Sequence, residues 1–210
     1  MDASRRLPAT RPPGRYGRLG PANSRIVCVT GLPCIGKTHA LQPLCRRLGL
    51  RLVQFDEVRN ACMPRAGSDL AADGSGGRFA GFPLDASEWR ALLASTETFL
   101  AFHAWQARRF GDALRGALDG DGPVVCEISP FVLPGLDLDA RILSCGIERP
   151  LHVERLRSRL GCPHDDARAI QGFFTRALAD AGDRPRGSRA IDIHALPSEL
   201  ARLGGGLCGA

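Results

Sequence analysis

The only lysine of this chain stands in a glycine-rich segment whose spacing suits phosphate binding. The segment reads Gly31-Leu32-Pro33-Cys34-Ile35-Gly36-Lys37-Thr38, and the other basic residues among the 28 Lys and Arg are all arginine. Glycines let a backbone turn sharply and approach an anion, and the first amides of a following helix favour negative charge. The pattern is that of a P-loop, in which the lysine reaches the β- and γ-phosphates of a nucleoside triphosphate and the next hydroxyl binds Mg²⁺.

Nine consecutive residues are therefore predicted to bind the nucleotide. They are Gly31, Leu32, Pro33, Cys34, Ile35, Gly36, Lys37, Thr38 and His39. Within this set, Lys37 is also predicted to act in catalysis, and Thr38 to be a metal ligand. The alternative for Lys37, a solvated surface lysine, is disfavoured by the spacing of the motif.

A carboxylate with a potential role in transfer follows the second predicted strand. Residues 50–55 form a largely apolar run that ends in Asp56-Glu57-Val58-Arg59. Because the carboxyl ends of strands line the ligand crevice of an open α/β sheet, Asp56 should share a cleft with the P-loop. There Asp56 is predicted to accept a proton from a substrate hydroxyl or to orient it, while Arg59 grips an anionic group. The alternative is that Asp56 only caps the next helix.

A second carboxylate, Glu127, ends the third predicted strand after Val124-Val125-Cys126. It should face the same crevice. We expect Glu127 to hold Mg²⁺ through water, since Mg²⁺ keeps most of its hydration, or to bind substrate. An exposed glutamate without either role is the alternative. The pair Asp56-Glu57 comes too soon after the P-loop to be the metal-side pair of an ATPase, which we expect on a later strand.

Three arginines follow the fourth predicted strand. Arg155 and Arg159 are four residues apart and share one face of a helix, whereas Arg157 points elsewhere. A positioned guanidinium stabilises the charge on a phosphoryl group in transfer, so both are candidate catalytic residues. The alternative is a solvated basic face paired with Glu154.

Alternating strands and helices must position these groups. Strands are predicted at residues 25–30, 50–55, 122–128, 140–145 and 190–193, and a helix runs from Thr38 to a stop at Gly49. A pair of helices is predicted between residues 85 and 118, and a flexible glycine-rich loop at residues 71–77. Residues 161–166 are expected to form a short lid. We expect one α/β domain at residues 25–203 and a flexible tail at residues 204–210.

A net charge of +6 could indicate binding to nucleic acid, but most of the excess positive charge lies in the N-terminal residues. Residues 1–25 contain six arginines and one aspartate, which leaves the remainder near neutrality. Residues 1–24 are rich in Pro, Gly and Arg and are predicted to be disordered, as an inert extension or as a nucleic-acid-binding arm. We do not expect nucleic acid as a main partner.

Several features favour a cytoplasmic protein without membrane partners. No apolar stretch suits a transmembrane helix or a secretory signal. Three of the eight cysteines, Cys28, Cys126 and Cys145, fall in predicted core strands, and no pair has the CxxC spacing. We expect reduced core thiols.

Taken together, these motifs resemble those of the small P-loop kinases of the nucleoside and nucleotide kinase type. The matching pieces are the P-loop, the segment from Asp56 to Arg59, the strand ending in Glu127, and Arg155 to Arg159. The resemblance implies a three-layer α/β/α fold with a five-stranded parallel sheet in the order 2-3-1-4-5. It also implies ATP and Mg²⁺ as cofactors, Asp56 as the acceptor-side base, and Arg155 or Arg159 as lid arginines.

The same residues exclude two other classes. A GTPase needs an Asn-Lys-x-Asp motif, and the chain has no second lysine. An ABC-type ATPase needs a signature loop and a longer chain. The expected function is transfer of the γ-phosphate of Mg-ATP to a small hydroxyl- or phosphate-bearing acceptor. The alternative is a P-loop ATPase, or an ATP-binding protein without a small-molecule acceptor.

Overall fold

The computed structural model describes residues 24–62, 86–182 and 188–207. The predicted N-terminal tail and the glycine-rich loop at residues 71–77 lie outside these ranges. Five strands and seven α-helices are described, in the order β1 (Ile26–Thr30), α1 (Lys37–Leu48), β2 (Arg51–Gln54), α2 (Phe55–Cys62), α3 (Ala86–Leu92), α4 (Thr96–Leu118), β3 (Val124–Glu127), β4 (Arg141–Gly146), α5 (Arg149–Leu160), α6 (His164–Asp180), β5 (Arg189–Asp192) and α7 (Leu196–Leu207).

The strands form one parallel sheet in the order β2-β3-β1-β4-β5, which confirms the predicted fold class. The central strand β1 pairs with β3 on one side and β4 on the other. Its residues Val27, Cys28 and Val29 are almost completely buried, because helices cover both faces of the sheet. This explains why the strand is apolar without alternation.

Two helical layers enclose the sheet. On one face, Leu41 and Leu44 of α1 pack with Leu200 of α7 against Val27 and Val29. On the other face, α4 presents an apolar stripe that packs against Cys28 and Cys126. The predicted core thiols Cys28, Cys126 and Cys145 are buried and free of disulfides.

A third apolar cluster joins α4 to the helical hairpin formed by α5 and α6. Phe99 lies at its centre, with ring centroids 4.8 Å from Phe131 and 5.2 Å from Phe173 in edge-to-face contacts. Full burial of each such side chain contributes about 1.5–3 kcal/mol to stability. The cluster fixes α5, and so the position of its polar residues relative to the P-loop.

The segment after β2 differs from our expectation. The strand ends at Gln54, and α2 begins at Phe55, so Asp56 lies in the first turn of a helix rather than at a strand end. Phe55 is 2% exposed and packs edge-on against Phe110 at 6.5 Å. The negative charges of Asp56 and Glu57 also favour an early helix start.

The connections that end the domain are more helical than predicted. Residues 161–163 form only a turn between α5 and α6, and α6 begins at His164, so most of the predicted lid is helix. Helix α7 runs to Leu207, past residue 203, where we expected the domain to end. Among the described residues, no helix is long and apolar enough to cross a membrane.

Candidate functional site

An open cleft of about 130 Å³ lies at the carboxyl ends of β1, β2 and β3. Chain segments that end on the same edge of a parallel sheet converge there, as in other open α/β folds. The cleft is lined by Gly31, Pro33, Lys37, Thr38, Gln54, Phe55, Asp56, Glu127, Ile128 and Ser129. The cleft therefore brings together predicted site residues from the P-loop, from the segment that follows β2, and from the end of β3.

The loop between β1 and α1 has the conformation that its glycines permit. Gly31 and Gly36 have positive φ angles of 145° and 94°. A side chain on Gly31 would collide with the carbonyl oxygen of Cys145, so β4 requires a glycine here. Cys34 also has a positive φ, 63°, which costs a non-glycine residue about 1–2 kcal/mol. Other contacts must hold the loop in this shape.

Carbonyl groups of the loop are engaged within the protein. Lys37 Nζ donates to the carbonyls of Gly31 at 2.8 Å and Leu32 at 3.0 Å, and the carbonyl of Gly36 accepts from the amide of Ala40 at 3.1 Å. No hydrogen bond of standard geometry joins the amides of residues 34–37 to another described residue. Successive unpaired amides at a helix start form a concave site that suits an anion.

Lys37 is only 9% exposed, although it carries the charge that the site needs. Burial lowers the pKa of its ammonium, and the nearby carboxylate of Glu127 is the largest opposing influence. Two backbone carbonyls and one carboxylate thus stabilise a compact cation beside the unpaired amides.

Thr38 of α1 and Glu127 of β3, both predicted metal ligands, are in direct contact. Thr38 Oγ1 donates to Glu127 Oε1 at 2.7 Å. The other carboxylate oxygen, Oε2, accepts from Gln54 Nε2 at 2.8 Å. Gln54 was missed by our sequence analysis, although β2 pairs with β3 so that Gln54 lies directly beside Glu127. The sequence feature that could have identified Gln54 is its polar side chain, which stands two residues before Asp56 in a largely apolar segment.

This pair of oxygen donors fits the requirements of Mg²⁺. Hydroxyl and carboxylate oxygens are the ligands that Mg²⁺ accepts, and it needs few of them because it retains water. In the described part of the chain, no group of three or more His, Cys, Asp or Glu side chains is arranged for metal binding. A site of one carboxylate and one hydroxyl matches a metal that is shared with phosphate oxygens.

Asp56 also lines the cleft and is paired with Arg59. Arg59 Nη1 lies 2.8 Å from Asp56 Oδ1, with side-chain exposures of 9% and 74% respectively. Burial lowers the pKa of Arg59, and the charge of Asp56 opposes this effect. Arg59 also donates to Asn60 Oδ1. The ion pair thus joins the exposed carboxylate of Asp56 to the buried guanidinium of Arg59.

Eight predicted site residues do not line the cleft: Leu32, Cys34, Ile35, Gly36, His39, Arg59, Arg155 and Arg159. Arg155 bonds to the backbone carbonyl of Ile35 in the P-loop. Arg159 is exposed near the end of α5; burial raises the pKa of the Cys34 thiol, and the charge of Arg159 is the largest opposing influence. His39 is exposed in the first turn of α1. Their predicted roles in binding or transfer stay predictions.

No protein-family model matches the sequence, and no curated protein matches it significantly. Solved structures do match. Shikimate kinase from Bacteroides thetaiotaomicron superposes with a TM-score of 0.51 at 14% identity, covering 87% of this chain and 97% of that one. The chain has the P-loop kinase fold.

Two further structures share this fold. TT1252 from Thermus thermophilus gives a TM-score of 0.56 at 17% identity, covering 85% of this chain and 97% of that chain. An uncharacterized protein from Eubacterium ventriosum gives 0.50 at 10% identity, with coverage of 86% and 98%. The P-loop kinase fold thus extends over most of the chain.

Proposed function

We propose that this protein is a kinase, which transfers the γ-phosphate of Mg-ATP to a small acceptor that bears a hydroxyl or phosphate group. One observation carries the proposal. A single cleft is lined by Lys37, Thr38 and Glu127, the candidate phosphate-side residues, and by Asp56, the candidate acceptor-side residue. The buried, free thiols of the core also support a reducing, cytoplasmic setting.

On the phosphate side, the unpaired amides of residues 34–37 would bind the oxygens of the nucleotide. Lys37 would exchange its two loop carbonyls for the β- and γ-phosphates, where a compact ammonium stabilises the charge that accumulates during transfer. Thr38 and Glu127 would hold Mg²⁺, which when bound neutralises charge on the phosphate oxygens.

On the acceptor side, Asp56 would accept a hydrogen bond from the attacking hydroxyl and orient it towards the phosphate. Arg59 holds this carboxylate through the 2.8 Å ion pair, and its burial keeps the pair in place. Because the guanidinium lies beside Asp56, it also offers positive charge to an acidic group of the acceptor.

An ATP-consumption screen tests the proposal. The candidate acceptors are nucleosides, nucleotides, sugars, cofactor precursors and aminoglycoside-like alcohols, and ³¹P NMR identifies any phosphorylated product. We expect ATP loss and product formation to be equal for at least one class of acceptor. ATP loss without a phosphorylated acceptor would instead identify an ATPase, and binding without turnover would identify an ATP-binding protein.

A further inference from the structure

Helix α5 contacts the P-loop with two side chains that do not line the cleft. His152 Nε2 lies 2.8 Å from the carbonyl oxygen of Pro33, and Arg155 bonds to the carbonyl oxygen of Ile35. His152 is only 2% exposed. The two carbonyls flank Cys34, the residue with the strained positive φ.

The geometry of the peptide bond gives these contacts a consequence for anion binding. In a planar trans peptide, the carbonyl of one residue and the amide N–H of the next point in opposite directions. A side chain that holds the Pro33 carbonyl outward therefore turns the amide of Cys34 inward. In the same way, Arg155 at the Ile35 carbonyl turns the amide of Gly36 inward.

His152 is suited to this contact because it is a neutral donor. A carbonyl oxygen only accepts hydrogen bonds, so Nε2 carries the proton. Burial lowers the pKa of His152, and the neighbouring charges of Lys37 and Arg155 lower it further. The ring therefore stays neutral at pH 7 and adds no positive charge to the interior.

We propose that His152 and Arg155 are positioning residues that hold the Pro33 and Ile35 peptides so that the amides of Cys34 and Gly36 face the phosphates. This inference rests on the proposed binding of ATP at the P-loop. It assigns Arg155 to the loop rather than to the transferring phosphoryl group. It also explains how a non-glycine residue keeps a positive φ at position 34.

Matched substitutions separate the hydrogen bond from the packing of the side chain. His152→Gln places a donor at the distance of Nε2, whereas His152→Met fills similar space without a donor. ADP binding by isothermal titration calorimetry should stay within about threefold of the wild type for His152→Gln and weaken about three- to tenfold for His152→Met. Thermal unfolding of each variant reports whether the fold is kept.

A second readout follows the amides directly. In the wild type, saturation with ADP should move the amide proton resonances of Cys34 and Gly36 downfield in ¹⁵N-¹H spectra. The Cys34 resonance should move less in His152→Met, and the Gly36 resonance less in Arg155→Met. Arg155 is partly exposed, so the pair Arg155→Lys and Arg155→Met decides the question if His152→Met does not fold.

Two outcomes would overturn the inference in distinguishable ways. ADP affinity and amide shifts equal to those of the wild type in both methionine variants would remove the positioning role and leave the proposed function intact. A wild-type protein that binds neither ADP nor ATP would remove the proposed function, and the inference with it.

Discussion

Gln54 donates a hydrogen bond to Glu127, and the two side chains can be exchanged between the two positions. Such an exchange distinguishes the effect of the pair on stability from its effect on function. Glu127→Gln removes the charge and keeps the shape. Its amide can be oriented so that its oxygen accepts from Gln54 and its nitrogen donates to Thr38. Both hydrogen bonds of the wild type, at 2.7 and 2.8 Å, therefore have a replacement. The lost charge no longer stabilises the buried ammonium of Lys37, so we expect the free energy of unfolding to fall by about 1–3 kcal/mol.

Gln54→Glu instead puts a second carboxylate beside Glu127, where a donor now lies at 2.8 Å. Two like charges that relax to about 4 Å repel by about 1–4 kcal/mol, depending on how far solvent screens the site. In a domain of this size, each kcal/mol lowers the midpoint of thermal unfolding by about 2–4 °C. The double variant Gln54→Glu/Glu127→Gln restores one acceptor and one donor and should recover most of the loss.

Urea unfolding of the wild type, both single variants and the double variant gives the coupling free energy between the two positions. The Mg²⁺ concentration that half-saturates ATP turnover is measured for the same four proteins. We expect Glu127→Gln to stay folded but to lose the stabilisation that the carboxylate gives the buried Lys37, to need much more Mg²⁺, and to turn over at least about 100-fold more slowly. The double variant should be stable, with its Mg²⁺ requirement changed because the carboxylate has moved to β2.

Three results would refute this reasoning. A coupling free energy near zero would mean that Gln54 and Glu127 do not interact in solution. An unaltered Mg²⁺ requirement in Glu127→Gln would remove Glu127 from the metal site. A double variant no more stable than Gln54→Glu would show that repulsion between carboxylates is not the cause of the loss.

Three further predictions follow from the same geometry. Lys37→Arg should reduce turnover by at least about 100-fold although the charge is kept, because a planar guanidinium cannot replace a compact ammonium in a 9% exposed site; steady-state kinetics checks this. Asp56→Asn should leave ATP affinity within a few-fold and lower transfer at least about 100-fold; unchanged transfer would contradict a role in orienting the acceptor. His103 lies outside the cleft on α4, where its Nδ1 is 2.8 Å from the carbonyl oxygen of Phe99, and burial lowers its pKa to about 4. Its contribution to stability is therefore complete above about pH 6.5 and falls by about 3 kcal/mol towards pH 4, so His103→Phe should flatten urea-unfolding stability in this range.

Local patterns were sufficient for the order of the elements. The 3/4 spacing of Leu41, Leu44, Cys45 and Leu48 predicts the buried face of α1; the first three are buried and Leu48 is half-buried. The strands lie within two residues of their predicted ends. Local patterns failed where packing set the boundary. Phe55 looked like the end of a strand, but its ring completes a contact with Phe110 on α4, and the helix begins there.

In the candidate site too, local patterns identified some residues, whereas others could be identified only from tertiary contacts. Lys37 and Thr38 could be assigned from one short motif because a P-loop is formed by consecutive residues. Glu127 and Asp56 could be placed near it once a parallel sheet was expected, because strand ends share one edge. Gln54 could not be assigned, since its role depends on which strand lies beside β3 and in which register.

The sequence by itself determined the P-loop, the alternation of strands and helices, and the edge of the sheet where the carboxylates would gather. These features follow from backbone geometry and apolar periodicity over a few residues. Only the tertiary structure decided that Gln54 holds Glu127 across 73 positions and that His152 holds Pro33 across 119. Such contacts depend on strand order and on the packing of α5 against α4 and α6, which arise from the whole core rather than from any local segment.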